Sequence, residues 1–160
     1  MKKIERIASF SVDHDLIDEG IYVSRIDGDV VSYDLRTRKP NAGDYMDNVT
    51  MHSVEHMFAS YIRSSDIGGR VIYFGPMGCR TGFYLLVRNA DNGEVLETVK
   101  KTLSDIISHK GDVFGKSRTE CGNYLELDME SARVEAKRYL DVLSSRKWSF
   151  EYPKGDKNEG

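Results

Sequence analysis

The sequence predicts an α+β fold: an antiparallel sheet covered by helices on one face. Two observations predict it. Short apolar runs of strand type come in two pairs, each joined by a turn or loop signal, and three longer segments carry apolar residues at helical spacing. Their order is strand hairpin, helix, strand pair, helix, helix, which suits a hairpin-built sheet with segregated helices.

The first pair is a hairpin over residues 21–36. Ile21, Val23 and Ile26 lead through the turn signal Asp27-Gly28-Asp29 into Val30, Val31, Tyr33 and Leu35. Residues 39–48 hold Pro40, Asn41, Gly43 and Asp44 and read as a loop. Thr50 is suited to cap a helix to about Ser64, with Val54, Met57, Phe58, Tyr61 and Ile62 on its apolar side. The second pair is Val71 to Phe74 and Phe83 to Val87, joined by a glycine-bearing loop around Cys79. Asn92-Gly93 precedes a helix to about Ser108, in which Val95, Val99, Leu103 and Ile106 share a face. Residues 110–122 form a polar loop that carries Cys121. Asp128 caps a last helix with Ala132, Ala136, Tyr139, Leu140 and Leu143 on its buried stripe. Residues 1–150 are expected to form a single catalytic domain, and residues 151–160 a flexible C-terminal tail.

Composition narrows the function. At 160 residues the chain is long enough for a packed core without disulfides. The formal net charge is -3 and no basic stripe occurs, so nucleic acid is not an expected partner. No apolar run approaches the roughly 20 residues of a membrane span, and the basic N-terminus is not followed by the apolar stretch of a secretory signal. A cytoplasmic location is expected, and there the two cysteines, Cys79 and Cys121, would not form a structural disulfide.

The sharpest local signal is His52-Ser53-Val54-Glu55-His56. Residues four apart on a helix lie one above the other, so two imidazoles so spaced can share one metal ion, with Glu55 beside them as acid or base. The bland alternative is a solvated helix start that happens to carry these residues. Cys121, in a loop beside Gly122 and Asn123, is the favoured third ligand. His109 competes as an exposed residue at a helix end. A His2Cys set leaves a fourth position open, as catalytic sites do. Cys79, between Pro76-Met77-Gly78 and Arg80-Thr81-Gly82, is either a reactive thiol or an inert one. Two rivals stand beside a small-molecule enzyme. One is an inverzincin-type metallopeptidase, whose signature is H-x-x-E-H. The other is a non-catalytic metal-stabilised binding module with Cys79 closing a His2Cys2 site.

Taken together, five segments resemble the LuxS family in content, order and spacing. They are residues 9–14 (Ser-Phe-Ser-Val-Asp-His), Asp34-Leu35-Arg36 with Pro40-Asn41, the histidine motif, residues 75–84 (Gly-Pro-Met-Gly-Cys-Arg-Thr-Gly-Phe-Tyr) and Glu120-Cys121-Gly122-Asn123. The resemblance implies a LuxS/metallohydrolase-like α+β fold. It also implies a homodimer with active sites at the interface, and cleavage of S-ribosylhomocysteine to homocysteine and 4,5-dihydroxy-2,3-pentanedione, the autoinducer-2 precursor of quorum sensing. By motif position it implies His52, His56 and Cys121 as ligands of one divalent ion per subunit, natively Fe2+ with Zn2+ as a substitute. It makes Cys79 and Glu55 the proton-transfer groups, and Ser9, His14 and Arg36 substrate contacts. From the residues alone, Ser9 reads as a helix- or turn-capping serine and His14 as a satisfied histidine, while Arg36 reads as an anchor for the substrate's polar end through charge-assisted hydrogen bonds or, nearly as well, as a surface arginine at a strand end. The chain departs from the family's usual pattern at Tyr73, where an aspartate is common, and at Thr37-Arg38-Lys39.

Overall fold

The structure is a computed structural model and describes residues 2–7 and 10–154. Four strands, β1 (Gly20–Asp27), β2 (Val30–Arg36), β3 (Val71–Pro76) and β4 (Gly82–Arg88), form one sheet in the order β1-β2-β4-β3, with every neighbour antiparallel. Among the described residues three α-helices, α1 (Asn48–Arg63), α2 (Asn92–Ser108) and α3 (Met129–Ser144), and a short 3-10 turn at Gly68–Arg70 complete the α+β architecture.

The hairpin β1–β2 turns at Gly28, whose φ of +61° suits a residue without Cβ, and pairs Asp27 with Val30 and Gly20 with Arg36. Along β4, Phe83, Leu85 and Val87 are buried while Tyr84 and Leu86 are only half-buried, the period-2 alternation of a sheet with one core face. That core face joins Tyr33, Leu35 and Phe74 to Val54, Met57 and Phe58 of α1, Leu103 of α2 and Ala136 and Tyr139 of α3. The helices pack on one another, with α1 also against β3 and α3 against β1.

Each helix starts at an aspartate. Asp47, rather than Thr50, caps α1, because its carboxylate accepts from the Thr50 N–H at 2.7 Å. Asp91 caps α2 through the Glu94 N–H, so Asn92 is already helical, and Asp128 caps α3 through Ser131. The cap sits three places before the N–H that it accepts, and a capping-competent Thr inside the first turn is easily mistaken for it.

The opposite face of the sheet is polar yet buried at its β2 end. Asp34 is fully buried and Arg36 is 3% exposed. What covers Asp34 is the C-terminal segment. Phe150 accepts the Val23 N–H at 2.8 Å on the outer edge of β1, Tyr152 stacks on Tyr22 with centroids 4.9 Å apart, and the Tyr152 hydroxyl donates to Asp34 Oδ2 at 2.7 Å. The start of the expected tail, residues 151–154, is therefore a strap on the edge strand; residues 155–160 lie outside the described residues. An unpaired edge and a buried carboxylate both need partners, and this segment supplies them.

Candidate metal centre and active site

The helix α1 projects His52 and His56 from one face, with ring centroids 4.7 Å apart and ring planes at 89°. Each ring is aimed by a backbone carbonyl from the long α2–α3 connection. His52 Nδ1 lies 3.1 Å from the Glu126 carbonyl, and His56 Nδ1 lies 2.7 Å from the Phe114 carbonyl. A carbonyl oxygen can only accept, so each Nδ1 bears a proton, and Nε2 is the nitrogen of each ring left to face a metal ion. Into that space comes Cys121, its sulfur 3.4 Å from His52 Nε2 and accepting the Asn123 N–H at 3.4 Å.

The ligand atoms of His52, His56 and Cys121 all lie within 4.8 Å of one another. Metal–nitrogen and metal–sulfur bonds of about 2.0 and 2.3 Å require ligand separations of roughly 3.3–3.8 Å. Two oriented imidazoles and a thiol with donor atoms within 4.8 Å of one another, one pair already at 3.4 Å, are a donor set that can close on one divalent ion. No carboxylate and no second cysteine joins the group among the described residues. The closed His2Cys2 module and the carboxylate-ligated peptidase therefore both lack their fourth or third ligand.

The connection carrying Cys121 is stitched to α1 at several points. Besides the two carbonyls, the Phe114 N–H points at Met57 Sδ at 3.3 Å, and the hydroxyl of fully buried Ser53 accepts the Asp128 N–H at 2.8 Å. Gly115 adopts φ +72°, and a Cβ there would lie 3.1 Å from His56 Nδ1, so a side chain at this position would crowd the ring. Sequence reasoning missed Ser53, Phe114, Gly115 and Glu126. Only Gly115 carries a signal, since a backbone carbonyl leaves no mark on residue type.

His109 is not a rival ligand. It caps the end of α2 half-buried, with Nδ1 accepting from the Tyr61 hydroxyl at 2.8 Å and Nε2 donating to the Asp112 carbonyl at 3.0 Å. Both its nitrogens are spent on structure, and it is less exposed than expected of a helix end. Glu55 is half-buried on α1, three residues after His52, and makes no ion pair among the described residues.

Cys79 is exposed on the β3–β4 loop. Arg80 takes φ +63° there, which reverses the chain so that Cys79 Sγ comes 3.0 Å from the hydroxyl of Thr81. Thr81 in turn accepts from Arg36 Nη1 at 2.8 Å, and Arg36 forks onto Asp34 through Nε at 3.0 Å and Nη2 at 2.7 Å. Arg36 is thus a buried residue of an ion pair and not a surface arginine. Burial alone would lower its pKa, but the Asp34 carboxylate, by charge and hydrogen bond, holds it above the ordinary guanidinium value. Tyr84, in the same row, is pushed up by burial and then by Asp34. His14 is half-buried, with Nδ1 2.9 Å from the Val12 carbonyl. Ser9 lies outside the described residues.

Comparison with known proteins agrees with this architecture. Residues 7–149 match the sequence profile of S-ribosylhomocysteinase (LuxS). An S-ribosylhomocysteine lyase of Borreliella afzelii is 34% identical over 94% of this chain and 100% of its own length. The enzyme of the same name from Finegoldia magna is 36% identical over 94% of this chain and 99% of its own. One from Clostridium beijerinckii is 37% identical over 88% and 92%. With the profile covering most of the chain and relatives matched along nearly their whole length, this protein belongs to the LuxS, or S-ribosylhomocysteinase, family.

Proposed function

We propose that this chain is a metal-dependent carbon–sulfur lyase that cleaves S-ribosylhomocysteine to homocysteine and 4,5-dihydroxy-2,3-pentanedione. The observation that carries the proposal is the convergence of His52, His56 and Cys121 with no fourth protein ligand among the described residues, in a chain of this family. His52, His56 and Cys121 are the ligands in this reading, Fe2+ the native ion and Zn2+ its substitute. The likeness to metallohydrolase folds rests on the family resemblance.

The thioether of the substrate is unactivated, so a carbonyl must first reach the carbon two bonds from the sulfur-bearing one. Moving the carbonyl from carbon 1 to carbon 2 and then to carbon 3 makes the carbon 4 proton acidic, and homocysteine then leaves from carbon 5 by β-elimination. When bound, the divalent ion supplies Lewis-acid stabilisation of the negative charge that develops on the sugar oxygens. Cys79, exposed on its loop, takes and returns the carbon-bound protons of the two isomerisations. Glu55 shuttles protons at the sugar oxygens and serves the final elimination. Ser9, His14 and Arg36 bind the substrate; three of the five guanidinium N–H groups of Arg36 are committed within the protein, so its contact would use the other two.

By family resemblance the working unit is a homodimer with its sites at the interface. Residues 1–150 act as one catalytic domain in the cytoplasm. Among the described residues, no helix is long and apolar enough to cross a membrane.

The test is anaerobic incubation of the Fe2+-loaded protein with S-ribosylhomocysteine, following released thiol with a chromogenic reagent. Stoichiometric thiol release is expected from the wild type. Cys79→Ala and Glu55→Gln should lose turnover while retaining metal, and Cys121→Ala should lose the metal itself. Absence of thiol release from the loaded wild type would overturn the assignment, and near-normal turnover by Cys79→Ala would remove Cys79 from the mechanism.

A further inference from the structure

Thr81 is 2% exposed, and its backbone is held in place from the other side. Its carbonyl accepts the Thr37 N–H at 3.0 Å and the Arg38 N–H at 2.9 Å, which ties the end of the β3–β4 loop to the end of β2. The hydroxyl is thereby presented at a fixed point, with Arg36 Nη1 on one side at 2.8 Å and Cys79 Sγ on the other at 3.0 Å.

Proton accounting decides the direction of these bonds. A guanidinium has only donors, so the Arg36–Thr81 bond uses an oxygen lone pair of Thr81. Arg36 cannot turn away, because Nε and Nη2 are both engaged by the buried Asp34 carboxylate, which the Tyr152 hydroxyl also holds at 2.7 Å. The Thr81 hydroxyl proton must then find another acceptor. Among the described residues the Cys79 sulfur is the acceptor within reach, and a buried hydroxyl proton without one is disfavoured. The bond therefore runs from Thr81 O–H to sulfur.

We infer that Thr81 is a positioning residue for Cys79. It occupies one lone pair of the sulfur from the buried side, and so directs the remaining lone pairs outward, where a carbon-bound proton would be collected. Charged and titratable groups near the sulfur are Arg36 from β2, Tyr84 from β4 and Arg80 next in the chain; none of these replaces the Thr81 proton. The mechanistic meaning of this role rests on the proposal above that Cys79 carries protons.

The test compares Thr81→Val, which keeps the shape and loses the hydroxyl, with Thr81→Ser, which keeps the hydroxyl. The first readout is the iodoacetamide alkylation rate of Cys79 at neutral pH on the metal-loaded protein without substrate, resolved from Cys121 by peptide mass spectrometry. The thiolate is the nucleophile in this reaction. Alkylation should slow by about ten- to a hundredfold in Thr81→Val, the worth of a hydrogen bond to a charged acceptor, and stay within about threefold in Thr81→Ser. The second readout is turnover: kcat should fall in parallel with KM little changed, and Thr81→Ser should restore it. Should Thr81→Val fail to fold because Arg36 loses its acceptor, Thr81→Ala leaves room for a water there and carries the same comparison. Wild-type alkylation rates in whichever of the two folds would overturn the inference. Turnover by Cys79→Ala would instead remove the proton-carrier reading while leaving the alkylation result to judge the Thr81 bond.

Discussion

His56 donates its Nδ1 proton to the Phe114 carbonyl at 2.7 Å, and the next residue, Gly115, passes so close that a Cβ would sit 3.1 Å from the same nitrogen. Ring orientation and loop path are thus one feature. A second partner that fixes the tautomer of a metal-binding histidine is as much part of the site as the ligand.

Gly115→Ala should therefore act on the metal. The added methyl meets the His56 ring, and φ +72° is strained for alanine. Loss of this support should weaken metal affinity by about ten- to a hundredfold, the range for outer-shell changes. Competition with a fluorescent chelator measures it. Unchanged affinity would mean that the Phe114 carbonyl does not orient His56.

The parts of this molecule legible in its sequence share a physical origin. Period-2 and period-3.6 patterns reflect burial, so the strands and helices could be read from residues such as Phe83, Leu85 and Val87. The His52–His56 pair was legible because helical geometry converts a spacing of four into adjacency. What stayed hidden depends on tertiary closure. Nothing local marks Glu126 or Phe114 as the carbonyl acceptor for a histidine ring, or Arg36 as buried. Arg36 is buried because Asp34 neutralises it from two residues away on the same strand face. The strap was missed for a related reason. Polar composition after Glu151 suggests solvent, but Tyr152 finds its partner 118 residues away at Asp34.

Acid should weaken the protein partly through its helix caps. Thr50 holds the Asp47 carboxyl below its ordinary pKa through side-chain and backbone hydrogen bonds, and Ser131 does the same for Asp128. A carboxylate with a depressed folded-state pKa contributes stability that is present above its unfolded value near pH 4 and disappears as pH falls through the folded one. Asparagine caps about as well as aspartate but does not titrate. The Asp47→Asn/Asp128→Asn protein should match wild-type stability at pH 7 to within about 0.5 kcal/mol and lose less of it between pH 5 and pH 3. Urea unfolding at each pH measures this, and parallel losses in both proteins would clear the caps of the acid sensitivity.

The strap on β1 depends on Gly20. A Cβ there would collide with the Trp148 ring, whose indole N–H is fixed on the Leu143 carbonyl at 2.9 Å. Gly20→Ala should cost about 1–3 kcal/mol, as overpacking does. It should also loosen Phe150 from the Val23 N–H, so that amide should exchange with solvent faster. Hydrogen exchange at Val23 that matched wild type would show that the strap tolerates the methyl.

Arg38 and Glu135 set the strongest stability expectation. Glu135 on α3 is 2% exposed, and Arg38 grips both its oxygens at 2.9 and 2.6 Å while reaching Asp44 with Nη1 at 2.5 Å. Arg138 is the nearest substitute, but its Nη1 lies 4.0 Å from Glu135 and so cannot hydrogen-bond it. Removing the partner of a buried charge is worse than removing the pair, because the surviving ion keeps its desolvation penalty without compensation. Arg38→Met should therefore destabilise by about 3–5 kcal/mol, and adding Glu135→Leu should recover most of it, since an apolar pair of similar volume costs little. A double-mutant cycle by urea unfolding measures the coupling. If Arg38→Met alone costs under about 1 kcal/mol, as exposed pairs do, then Glu135 finds water or another partner, and the link from the loop after β2 to α3 is not an electrostatic one.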